Sequence, residues 1–151
     1  MTFRTPSPDD LYLVLLGRAV YTWSYTEWTA LYLIRWATGD DLSDHAGHPG
    51  GRIMRTLEAT VSSDLDVDPH ILAHAREGVQ ALLAANHRRN DLLHARPATI
   101  NGQQRLNRWD PKNNRADPGP IEHEDLERFI HQVEEGRALI SPLHNALRPS
   151  E

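Results

Sequence analysis

Apolar residues recur along this chain at steps of three and four, the period of helices that bury one side. The first run opens at Ser7-Pro8-Asp9-Asp10, where Ser7 suits the cap, Pro8 the first turn, and the two acids the positive end of the dipole. It extends to about Ala37, and Gly39 is the predicted stop. Tyr21, Tyr25, Trp28, Tyr32 and Trp36 form an aromatic stripe on this helix. Their spacing favours core packing over a platform for stacking bases. Leu13, Leu16, Val20, Trp23 and Ile34 make its other faces apolar too, which suits a helix between two layers or in a subunit contact.

Residues 40–51 read as a loop ending in Gly47-His48-Pro49-Gly50-Gly51, followed by a short amphipathic helix with Ile53, Met54, Leu57 and Val61. Asp68-Pro69 opens a third helix as cap and first-turn proline. Ile71, Leu72, Val79, Leu82, Leu83, Leu92 and Leu93 are its apolar positions, and it must stop before Pro97. Ala98 to Gln103 predicts a strand entering a hairpin at Asn101-Gly102, with a return strand from Gln104 to Trp109. Residues 110–120 read as a polar loop. A fourth helix then carries Leu126, Phe129, Ile130, Val133, Ile140 and Leu147, with Pro142 expected to kink or divide it. The predicted fold class is all-α: an up-and-down four-helix bundle with a small β-hairpin inserted before the last helix, as one domain over residues 1–151.

Composition agrees with one globular domain: 151 residues, 39% hydrophobic and 25% charged. The chain has no cysteine, which removes disulfides, zinc-thiolate sites and thiol catalysis. No apolar leader is visible, and the longest apolar run, Leu11 to Leu16, is far too short to span a bilayer, so a soluble, cytoplasmic protein with no membrane partner is expected.

The net charge is −5, but it is unevenly spread. Residues 86–115 hold seven basic side chains against two acidic ones, a local +5 that leaves −10 for the remainder. An acidic body with one basic stretch suits anion binding. Within that stretch lies Asn86-His87-Arg88-Arg89-Asn90-Asp91-Leu92-Leu93-His94-Ala95, at the end of the third helix. At about 100° per residue, Asn90 and His94 share a face, whereas Arg89 and His94 are about 140° apart. One chain is thus poorly built to grip a phosphate with both. Two copies of this helix meeting about a two-fold axis can bring their Arg and His groups into one cleft.

Arg89-Asn90-Asp91-Leu92-Leu93-His94-Ala95, on the penultimate long helix, resembles the hallmark of the HEPN superfamily: Arg, a polar residue, a short spacer, then His. That resemblance implies an all-α bundle, often dimeric, and metal-independent endoribonuclease activity of the kind found in toxin–antitoxin, phage-defence and CRISPR systems. It implies Arg89 and His94 as the catalytic pair with Asn90 as polar helper, RNA as substrate, a homodimer through the third helix around the motif, and a cognate antitoxin among the partners. Arg88 also falls within the family's spacing, so the choice between the two arginines stays open. One subgroup, controlled by nucleotidyltransferase antitoxins, has a Tyr two residues after the His; this chain has Arg96 there, which speaks against that control. A HEPN domain that binds RNA or a partner without cutting is the alternative.

The chemistry stands without the resemblance. RNA is cut without metal when its 2′-OH attacks the adjacent phosphate, which needs a proton acceptor, a proton donor and positive charge. Histidine serves either proton task near neutral pH, and arginine holds phosphate through parallel hydrogen bonds. Arg88, Arg96, Arg105 and Arg108 are candidate RNA contacts, and Trp109 either stacks on a base or plugs the end of the bundle. Nine histidines raise a metal-dependent hydrolase as a second alternative, through His70 and His74 one turn apart with Glu77 beyond, or His45 and His48. No metal or other cofactor is expected on the main reading. No Gly-rich phosphate loop, nucleophile elbow or dinucleotide fingerprint is present.

Overall fold

The computed structural model describes residues 5–109 and 119–150. Four helices pack around one core: α1 (Asp10–Thr38), α2 (Gly50–Ser62), α3 (Pro69–His94) and α4 (His123–Leu147). α1 and α3 each pack against both α2 and α4, which closes the bundle into a ring. Between α3 and α4 lies a small antiparallel sheet, β1 (Arg96–Ile100), β2 (Gln103–Asn107) and β3 (Pro120–Ile121). The basic residues Lys112 and Arg115, and most of the expected loop at 110–120, lie outside the described residues.

Local chemistry sets most boundaries. Gly39 ends α1 in the left-handed region at φ 80°, its N–H donating to the Arg35 carbonyl at 2.8 Å. Asp68 caps α3 by accepting the His70 N–H at 2.8 Å, with Pro69 in the first turn. At the hairpin, Asn101 and Gly102 both have positive φ, 51° and 76°, as the tight turn requires. The core gathers Trp23, Leu33, Ile34, Met54, Leu57, Val79, Leu82, Phe129, Val133 and Ile140. Two mid-helix glycines let α3 and α4 approach closely. A Cβ on Gly78 would lie 2.7 Å from the Gly136 carbonyl oxygen, and one on Gly136 would lie 2.7 Å from Leu82 Cδ2.

Several expectations are corrected. The cap of α1 is Asp9, not Ser7: Asp9 Oδ1 accepts the Tyr12 N–H at 2.9 Å and the helix starts one residue later. Gly50 and Gly51 open α2 instead of ending a loop. A Cβ on Gly50 would meet the Glu27 carboxylate, which would have to swing aside, and would press on the Trp23 ring at 3.3 Å. Pro142 does not divide α4. The carbonyl it leaves without an N–H partner belongs to Ala138, which faces water. β3 is a third strand that the pattern does not predict, pairing Leu106 with Ile121 and Asn107 with Pro120. The aromatic stripe of α1 is not core: Tyr21 is 71% exposed, Tyr25 53% and Trp28 47%. The face of α1 that packs inward carries Tyr12, Ala19, Trp23, Thr26, Ala30 and Ile34 instead.

Arg105 ties the start of α1, the sheet and the start of α4 together. Its side chain is only 5% exposed and donates to Asp9 at 3.0 Å, Glu122 at 3.2 Å, the Gln104 carbonyl at 2.8 Å and Gln103 at 2.8 Å. It also lies 4.8 Å from the Tyr12 ring. The Tyr12 hydroxyl donates to the Ile121 carbonyl at 2.8 Å and accepts the Leu106 N–H at 3.1 Å. The hydrogen bonds from His123 and from the Tyr12 N–H hold the Asp9 carboxyl at about 2, against an ordinary 3.8. Because the folded value is depressed, ionised Asp9 stabilises the fold above its unfolded pKa near 4, and that contribution fades as pH falls towards about 2. Between about pH 5 and pH 2 the melting temperature of the wild type is therefore expected to fall further than that of Asp9→Asn; parallel melting curves for the two would refute the assignment.

Candidate functional site

The residues of the motif form the last turns of α3, where the bundle core runs out. The buried face of that helix carries Ala75, Gly78, Val79, Leu82, Ala85 and Asn86. Continued at the same spacing, it reaches Arg89 and Leu93. Asn86 and Arg89 are thus polar residues standing where packing alone would place apolar ones. Arg89 is half-buried, donates to Asn90 Oδ1 at 3.2 Å and lies 6.0 Å from the centre of the Trp23 ring. No carboxylate among the described residues pairs with it, neither Asp91 nor any group on α4. His94, the last helical residue, is exposed and has no side-chain partner among the described residues.

Three clefts radiate from this end of α3. One, of about 490 Å³, brings Asn86, His87 and Asn90 to face Gly51, Arg52 and Arg55 of α2. A second sets Arg89, Leu92 and Leu93 against Val20, Trp23 and Glu27 of α1. The third places Arg88 and Asp91 beside Arg108, Asp125 and Arg128. Around the first two, three buried polar atoms have no partner among the described residues: Asn86 Oδ1, Trp23 Nε1 and Glu27 Oε1. Such atoms are satisfied by a bound molecule or by water, and His45, His48, Asn107 and Gln132 carry others away from these clefts. The Gly50 and Gly51 N–H groups at the start of α2 precede the first intrahelical donors, Arg52 and Ile53, and no side chain caps that end. The first cleft therefore combines two arginines, a histidine, two amides and a helix N-terminus, a set that suits a phosphate.

The candidate residues thus divide. Arg89 and Asn90 are brought together, with His94 one turn beyond Asn90. Arg88 turns to the cleft that also holds Asp91 and Asp125. Arg105 is buried in the ion pairs described above and presents no free donor face to RNA. Arg108 is likewise engaged, at 3.1 Å from Asp125, 4.0 Å from Asp91 and 2.9 Å from the Pro120 carbonyl. These two arginines brace the sheet against α3 and α4. Arg96 is exposed with its guanidinium 4.8 Å from the Trp109 ring, so that Trp109 neither enters the buried core nor stands bare. Arg52, Arg55, Glu27 and Trp23 carry no signal in the motif window. The nearest clue is the Gly50-Gly51-Arg52-x-x-Arg55 run, two arginines one turn apart behind a glycine pair. His70 and His74 are exposed near the start of α3, and among the described residues no three His, Cys, Asp or Glu side chains gather as a metal set. Among those residues, too, no helix is long and apolar enough to cross a membrane. Compared with protein-family models, curated proteins and solved structures, the chain matches none of them.

Proposed function

We propose that this protein cuts RNA without a metal, by attack of a 2′-OH on the adjacent phosphate, at a site built from Arg89, Asn90 and His94. The observation that carries the reading is Arg89: a half-buried guanidinium held by Asn90 and by an aromatic face, in ion-pair contact with no carboxylate among the described residues, although Glu27 lines the same cleft. Such a group is poised for an anionic ligand. The HEPN-like order of Arg, Asn and His on one helix end supports the same reading, as does the ring of four helices.

Each residue has a task that follows from its chemistry. Arg89 holds the scissile phosphate and stabilises the charge that builds on its equatorial oxygens. Asn90 fixes the guanidinium. His94, free to turn at the helix end, exchanges a proton with the 2′-oxygen or with the departing 5′-oxygen. The 2′-O–P bond forms as the P–5′-O bond breaks, leaving a 2′,3′-cyclic phosphate and a 5′-hydroxyl. Two His94 side chains divide the acid and base tasks when two α3 ends meet. Exposed Leu93 (58%), Val20 (61%) and Leu13 (43%) form an apolar collar beside the motif that suits such a contact. Arg52, Arg55 and His87 then serve flanking phosphates. A cognate antitoxin that silences the cleavage would cover this same end of α3.

The test is the chemistry of the ends. End-labelled RNA cut by this protein should carry 2′,3′-cyclic phosphate and 5′-hydroxyl termini. Fragments with 5′-phosphates would instead demand attack by water and reject the mechanism.

A further inference from the structure

The outer face of α1 holds the largest exposed apolar surface among the described residues, and the site above makes no use of it. Leu11, Val14, Tyr21, Tyr25, Trp28 and Tyr32 are 57, 64, 71, 53, 47 and 38% exposed. They leave on the order of 700 Å² open, taking roughly 150–250 Å² for each large side chain. That exceeds the roughly 300–600 Å² of the largest patch on an ordinary monomer and approaches the roughly 800 Å² that each partner contributes to a standard interface.

The spacing of this face is more informative than its size. Leu11, Arg18, Tyr25 and Tyr32 repeat every seven residues, and so do Val14, Tyr21, Trp28 and Arg35. Interleaved, they alternate steps of 3 and 4 from one end of α1 to the other. This is the 3.5-residue repeat of a seam that packs against another helix, not the 3.6 repeat of a face that merely lies on a core. The bundle touches this seam only along one edge, where Arg137 of α4 lies 5.1 Å from the Tyr25 ring and Glu134 reaches Arg18, and leaves the rest open.

We propose that the seam pairs with the same seam of a second copy, antiparallel, about a two-fold axis on the outer face of α1 at the level of residue 23. In that register each position of the first series meets one of the second. Leu11 meets the partner's Arg35, Val14 meets the partner's Tyr32, and Tyr21 meets the partner's Tyr25. Arg18, whose link to Glu134 is long (3.5 Å) and exposed, lies across the partner's Trp28. The two arginines that interrupt the seam thus face an aromatic ring and the end of the helix instead of each other, whereas a parallel pairing would stack Arg18 on the partner's Arg18. Gly17, Thr22, Ser24 and Thr29 border the middle of the seam; they are small and uncharged, so the helices can approach closely there. This contact involves no residue of the cleavage site and stands or falls independently of it. It is also distinct from the collar at Leu93 and Val20, which lies on another side of α1.

The chain has no cysteine, so engineered ones report the register cleanly. A mixture of Val14→Cys and Tyr32→Cys chains should form a disulfide-linked dimer on mild oxidation, and neither variant alone should. In the antiparallel register, like positions lie on the order of 27 Å apart along the axis, at 1.5 Å per residue. Tyr25→Glu should abolish that crosslink and halve the mass by sedimentation, with unchanged helical circular dichroism. Leu93→Glu should leave the crosslink intact. Crosslinking of Val14→Cys alone would show a parallel pairing, and no crosslink in the mixture would show no pairing; either overturns the proposal. So would a mass unmoved by Tyr25→Glu, including the case where that variant weakens RNA retention instead, or a crosslink lost with Leu93→Glu.

Discussion

Arg89→Ala is expected to lower RNA cleavage by roughly 10²- to 10³-fold, the scale of removing a positioned group that meets charge only in the transition state. Stability should change little. Among the described residues, Arg89 makes one hydrogen bond, to its neighbour Asn90, and one ring contact, to Trp23. Both are weak, and the side chain is only partly buried, at the bundle's edge. Arg89→Lys should recover little, because a point charge cannot reproduce the planar fork that spans two phosphate oxygens. Arg88→Ala separates the two arginines: its side chain lies in the cleft with Asp91 and Asp125, and cleavage should fall far less than for Arg89→Ala. Equal losses in the two variants would leave Arg89 without its special role.

Gly78→Ala should produce the largest loss of stability among single small substitutions. The added methyl would lie 2.7 Å from both the Gly136 carbonyl oxygen and Leu139 Cβ, and 3.0 Å from Ile140. A backbone oxygen cannot swing aside as a side-chain tip can, so α3 and α4 must separate. Overpacking of this kind costs about 1–3 kcal/mol, and the better helix propensity of alanine returns about 1 kcal/mol. Because a backbone oxygen must move, the cost lies in the upper part of that range, and the net of about 1–2 kcal/mol lowers the melting temperature by roughly 2–8 °C in a domain of this size. The control is Gly17→Ala, on the same residue type in α1 with nothing within 4 Å of the new Cβ, which should raise the melting temperature slightly. A Gly78→Ala protein that melts with the wild type would mean the helices are not this close.

The contrast between those glycines explains what was legible in the sequence. Short-range chemistry was: Asp68-Pro69 starts α3, Gly39 stops α1, and Asn101-Gly102 turns the hairpin, each through atoms within a few residues. Helical periodicity also located the inner faces of α2 and α4 correctly. Periodicity failed on α1, which is apolar on more than one side. Nothing local distinguishes the face that meets Phe129 and Val79 from the one carrying Tyr21 and Trp28. Long-range partners were invisible as well. Arg105 and Arg108 read as free cations because Asp9, Glu122 and Asp125 are distant in sequence, and β3 is only Pro120–Ile121, too short to leave a pattern. Of the candidate site, the sequence showed the half that lies on one helix. The half supplied by Trp23, Glu27, Arg52 and Arg55 exists only once α1 and α2 are laid beside it.

That difference also changes which basic residues face a ligand. The positive stretch from Arg88 to Arg115 does not act as one surface within the described residues, since Arg105 and Arg108 are consumed by the fold. Among the described residues, the basic groups of this region that the fold does not consume are Arg88, Arg89, His87 and His94 on α3, Arg96 on β1, and Arg52 and Arg55 on α2.

The central claim is that His94 and Arg89 cut RNA with no metal. The most direct measurement incubates mixed RNA in excess EDTA with wild-type protein and with His94→Ala, purified alike and matched by circular dichroism. Wild type should degrade the RNA and His94→Ala should be slower by at least about 10²-fold. Equal cleavage by the two proteins, or no cleavage by wild type in EDTA where magnesium restores it, would contradict the account.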